Sequence, residues 1–113
     1  MNYTTPAAVF AASFGVNSLV FGVSNETAMK DGAQMAFSSV ASGYVADSLV
    51  SVLPSSLSHM VGSIGTAGIY AAVDSYTNIS PINSLTGKVL FAVGTATLGD
   101  AIVGIVENGT ITY

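Results

Sequence analysis

Cysteine, tryptophan and arginine are all missing from this 113-residue chain, and only 7% of its residues carry a charge. Without cysteine there are no disulfides, thiolate metal ligands or thiol nucleophiles. Without arginine, and with Lys30 and Lys88 as its only side-chain cations, the chain lacks the basic footprint that phosphates require, which excludes nucleic acid as a partner. The same shortage leaves no polybasic segment to attract anionic lipid headgroups. With no tryptophan, any aromatic belt at a membrane interface rests on the 5 tyrosines. One histidine, His59, and dispersed acids give no metal-ligand spacing. His59 also lacks the nucleophile and orienting partner that catalysis needs, so no catalytic residue is assigned and the chain reads as a non-enzyme. The glycines at 62, 65 and 68 and at 94, 99 and 104 lack the preceding strand and following lysine of a phosphate loop, so no cofactor is expected.

Half the residues are hydrophobic and the mean hydropathy is +0.65. An ordinary soluble domain carries about 25% charged residues. A free monomer in water would have to cover this chain with Ser, Thr, Gly and Ala alone. The hydrophobicity is arranged in four blocks, at about residues 6–23, 33–53, 60–76 and 85–106. A spanning helix takes about 17–25 mostly apolar residues, and all four fall in or close to that range. The breaks have turn chemistry: Ser24, Asn25, Glu26 and Thr27 offer caps. Pro54 with Ser55 and Ser56 stops the second block, and residues 77–84 form a polar turn around Pro81. Asn108 and Gly109 close the last block. The four N-x-S/T tripeptides, at Asn2, Asn25, Asn78 and Asn108, fall in these termini and turns and read as turn chemistry.

The blocks are too long for strands and rich in alanine, and in a bilayer a helix satisfies its own backbone. The expected fold is therefore all-α: a compact bundle of three to four apolar, transmembrane helices forming a single membrane domain over residues 1–113. The first block contains Phe10, Phe14 and Phe21 and glycines at 15 and 22. It is either a span or an interfacial, broken segment.

Two sets of residues stand out within the blocks. Small residues recur at helix-contact spacing: Gly62, Gly65, Gly68 and Ala72 in the third block, Ala92 and Ala96 in the fourth, and Ser38, Ser42 and Ala46 in the second. Such faces let helix backbones approach closely in lipid. Three acids, Asp47, Asp74 and Asp100, sit one to a block after similar small or aromatic residues. An ionisable group in a spanning helix is costly, so these are the candidate intramembrane polar residues, lining a pore, pairing with Ser, Thr and Tyr across helices, or solvating a helix end in the headgroup zone. If all four blocks span, Lys30 and Lys88 share a side, which the positive-inside bias makes cytoplasmic.

The run from Thr27 through Lys30, Asp31, Gly32, Met35 and Phe37 to Val40, followed by Val45, Ala46 and Asp47, resembles small membrane-embedded minor capsid proteins of large icosahedral double-stranded DNA viruses. The resemblance implies a structural scaffold in the internal membrane of a virion. Its partners would be the lipid bilayer and capsid or other assembly proteins, met through polar loops in an oligomer or larger assembly. Two alternatives stay open. One is a holin-like or channel-like oligomeric pore, although the uncharged ending Thr110-Ile111-Thr112-Tyr113 departs from the usual charged holin tail. The other is a soluble subunit covered by its neighbours in an obligate assembly.

Overall fold

The computed structural model describes residues 4–49 and 55–108, with side chains undescribed at 4, 46, 47, 49, 55–60, 63 and 108. The described chain is all-α: α1 (Thr4–Leu19), α2 (Asn25–Leu49), α3 (Ser55–Thr77) and α4 (Leu85–Asn108). Each helix packs against two others, in the order α1–α2–α3–α4 and back to α1, so the four close a ring. Short connections make neighbours antiparallel, the up-down-up-down arrangement of a four-helix bundle.

Local chemistry sets the helix ends. Pro6 lies in the first turn of α1, where a missing N–H costs nothing. The chain leaves α1 through Gly22, whose φ of 66° suits a residue without Cβ. Ser24 caps α2: its Oγ accepts from the Thr27 N–H at 3.2 Å. Ser84 caps α4 in the same way, accepting from the Gly87 N–H at 3.0 Å. Asn78 ends α3 in the left-handed region, φ 54°, while its N–H reaches the Asp74 carbonyl at 2.7 Å.

These caps move the boundaries expected from hydropathy. The second helix begins at Asn25, eight residues before the apolar block at 33, so Glu26, Lys30 and Asp31 are helical. A capped start carries the helix through polar residues that a hydropathy profile reads as loop. The first helix has 16 residues, fewer than a span requires. Among the described residues, only Leu85–Glu107 is long and apolar enough to cross a membrane by itself. The expectation of three to four self-sufficient spans is therefore not supported. Length rules out α1, and charge with hydroxyl and glycine content dilutes α2 and α3.

The interior is small and polar. A compact apolar centre is formed by Val9, Met35, Ala67, Tyr70 and Ala92, with Val89 and Phe91 against it. Around it lie Ala8, Ala12, Ala71, Ala96 and Ala101 and the buried hydroxyls of Ser13, Ser38, Ser42, Thr66 and Thr95. Many large apolar side chains point outward: Phe37 is 61% exposed, Ile64 62%, Leu90 66% and Val106 69%. This distribution inverts that of a water-soluble bundle, whose helices turn an apolar stripe inward.

Candidate functional site

All four helices meet in a buried polar cluster at the end of the bundle that carries the α1–α2 and α3–α4 turns. It forms because each helix sets polar residues at helical spacing on its inner face. On α1, Ser13 and Asn17 are four apart. On α2, Asp31, Gln34 and Ser38 follow at three and four. On α3, Tyr70, Asp74 and Thr77 do the same, and α4 contributes Lys88 from its first turn.

Asp31 and Asp74 are its two anchors, and both are fully buried. Asp31 accepts from the Asn17 amide at 2.8 Å, the Gln34 amide at 3.1 Å and the Tyr70 hydroxyl at 2.5 Å. Asp74 accepts from the Gln34 amide at 2.9 Å and the Ser80 N–H at 2.9 Å, and pairs with the Lys88 ammonium. Lys88 Nζ also donates to the Ile82 carbonyl at 2.7 Å, tying the α3–α4 turn to α4. Gln34 is the bridge. Its Nε2 serves both carboxylates, and its Oε1 accepts from the Thr77 hydroxyl. Phe21 rests on Phe91 with ring centres 6.0 Å apart, and Phe91 rests on Tyr70 at 5.6 Å, an aromatic cover over one flank. Asn17 Oδ1 is buried and has no partner, while the nitrogen of that amide also donates to the Ser13 carbonyl at 2.9 Å.

Electrostatically, the cluster sets two carboxylates against one ammonium in a medium where an unpaired polar group is costly. It can lock the four helices in one register and hold charge away from water.

The residues expected from sequence are dispersed across this picture. Asp74 is at the centre of the cluster. Asp100 lies elsewhere on α4, partly buried and engaged with a partner. The side chains of Asp47 and His59 lie outside the described residues. Lys30 and Lys88 do share an end of the bundle, yet only Lys30 reaches solvent, where it pairs with Glu26 at 3.0 Å. Lys88 is consumed by Asp74 and gives no orientation signal. Of the small residues, the Gly62 carbonyl accepts from the Ser42 and Thr66 hydroxyls. Gly65 lies against Ser42, and Ala92 and Ala96 are buried. Gly68 and Ala72 face outward, with nothing within 4 Å of a Cβ built at Gly68. Gly99, which the sequence offers as a packing or bending position, makes the closer backbone approach: it lies against Val9, whose backbone N would be 3.2 Å from a Cβ there.

Asn17, Asp31, Gln34, Tyr70 and Lys88 were not singled out as site residues. The available signal was the polar stripe at spacings of three and four within otherwise apolar helices. The fold and site define a four-helix bundle locked by a buried ionic cluster; no family model, curated protein or solved structure matches the chain.

Proposed function

We propose that this protein is a membrane-embedded structural subunit, a minor capsid scaffold linking an internal virion membrane to the shell around it. The inverted burial carries the membrane part of the reading. Asp31, Asp74, Asn17 and Lys88 are inside, while Phe37, Ile64, Leu90, Leu98 and Val106 are outside. An apolar exterior with so little charge calls for lipid or close neighbours to cover it. The apolar helix α4 supplies the crossing, and α1–α3 gather around it with Asp31, Gln34, Tyr70 and Asp74 hydrogen-bonded to one another.

The positions of the exposed charges support the same reading. Glu26 and Lys30 lie at one end of the bundle and Glu107 at the other. From the level of Lys88 to Glu107, α4 rises about 28 Å at about 1.5 Å per residue, close to the hydrocarbon thickness of about 30 Å. The virion part rests on the resemblance of the segment 27–47 to capsid-associated membrane proteins. Its role there is mechanical: a rigid body in lipid, presenting the polar turn at 78–84 and the exposed Glu26 and Lys30 at the same end to shell proteins.

The test is extraction of membranes containing the full chain with alkaline carbonate, followed by conductance measurements on liposomes that hold it. Retention in the pellet, absence of conductance and stoichiometric recovery from purified particles are expected. Release without detergent would overturn the membrane reading, and sustained conductance would replace the scaffold with a pore.

A further inference from the structure

The buried cluster is one positive charge short, and we propose that it is a binding site for one small monovalent cation beside Asp31. The site deepens what the cluster can do and does not depend on whether the bundle serves in a virion. Among the described residues, no cationic side chain meets Asp31. Its three partners, Asn17, Gln34 and Tyr70, are neutral hydrogen-bond donors. The one buried ammonium, Lys88, is spent on Asp74 and the Ile82 carbonyl. Lys30, next to Asp31 in sequence, is on the surface with Glu26. From α1 the cluster receives only Ser13 and Asn17, neither titratable. From α3 it receives Tyr70 and Asp74, and from α4 only Lys88.

A second, independent feature points to the same ligand. Asn17 is fully buried, and its Oδ1 has no donor. It belongs to the amide whose nitrogen lies 2.8 Å from Asp31 Oδ2. Turning that amide over would bring its oxygen against Asp31 Oδ2 and the Ser13 carbonyl oxygen, two acceptors. The orientation is therefore fixed by its partners. A buried acceptor-only oxygen on the side chain that donates to an anion lacking a cation is matched by a hard monovalent cation, an alkali-metal ion. A divalent ion would overshoot the deficit of one charge and finds no third carboxylate there among the described residues.

The experiment uses the full chain in detergent micelles, unfolded by denaturant at constant ionic strength. Sodium or potassium replaces a bulky organic cation step by step, and the series is repeated between about pH 6 and about pH 8. If one ion binds the folded state alone, the unfolding constant falls about tenfold for each tenfold rise in that ion above its Kd. Dependence on sodium or potassium at fixed pH identifies a metal ion. A dependence on pH with no effect of either metal overturns the proposal. Asp31→Asn removes the deficit and is expected to abolish the dependence on the metal ion. Asn17→Ser, a milder change at the orphaned oxygen, is expected to weaken the metal dependence at least tenfold in midpoint concentration. A wild-type unfolding constant flat in sodium and potassium overturns the proposal without need of either variant. So does a dependence that Asp31→Asn leaves unchanged.

Discussion

Lys88 shows how much one side chain carries in a bundle with so few charges. Its ammonium and the Asp74 carboxylate are both almost wholly buried. Removing one member of such a pair leaves the other as an uncompensated charge, at a cost of about 3–5 kcal/mol. Lys88→Met is therefore expected to lower stability by about that amount in denaturant titrations. Adding Asp74→Asn should recover most of the loss, because an amide oxygen there still accepts from Ser80 and Gln34 while the stranded charge is gone. A double variant no more stable than Lys88→Met would show that the lysine acts through packing. This pairing was only half legible in the sequence. Asp74 stood out as a charge within an apolar block, whereas Lys88 looked like a surface residue at a helix start. Asp31 was hidden for a different reason. It precedes the apolar run of its helix, and its burial depends on how α2 is rotated against α1 and α3, which no single-helix pattern encodes.

The helices themselves were visible as apolar blocks because the outer faces are as apolar as the core, so hydropathy stays high along nearly the whole turn. That same evenness hid which face points inward. Without an amphipathic contrast, the small residues at 62, 65, 68 and 72 read as one contact face, whereas the structure divides them between an inner and an outer side. Alanine substitution separates the two. At Gly65 a Cβ would lie 2.6 Å from Ser42 Oγ, and at Gly99 2.6 Å from Val9 Cγ2 and 3.2 Å from Val9 Cα. Gly65→Ala and Gly99→Ala are each expected to cost about 1–3 kcal/mol through overpacking. Ser42→Ala should relieve the first but not the second, since Val9 presents backbone. Gly68→Ala meets open space and should stabilise α3 by about 0.5–1 kcal/mol through helix propensity. Destabilisation at Gly68 would reveal a partner pressed against the outer face of α3. Unfolding midpoints of the purified variants in detergent decide all three.

For the whole molecule, the open question is what covers the outside, and depth along α4 discriminates between answers. Leu85 and Leu98 are both outward, 64% and 45% exposed, but Leu85 begins the helix and Leu98 lies near its middle. In lipid, a lysine at the helix centre costs about 2.5–3.5 kcal/mol. One at the end extends its stem along the helix and puts its ammonium among the headgroups at little cost. Leu98→Lys is accordingly expected to impair insertion, with most of the chain appearing in the carbonate-soluble fraction, while Leu85→Lys stays in the pellet like the wild type. Water on that face would tolerate both substitutions, because a solvated lysine costs neither position anything. A dry protein neighbour along all of α4 would reject both, because neither end offers headgroups to receive the charge. Only a bilayer makes the penalty depend on depth. The ratio of the two insertion yields thus tests the source of the covering separately from its existence, and equal yields would remove lipid from the account of this bundle.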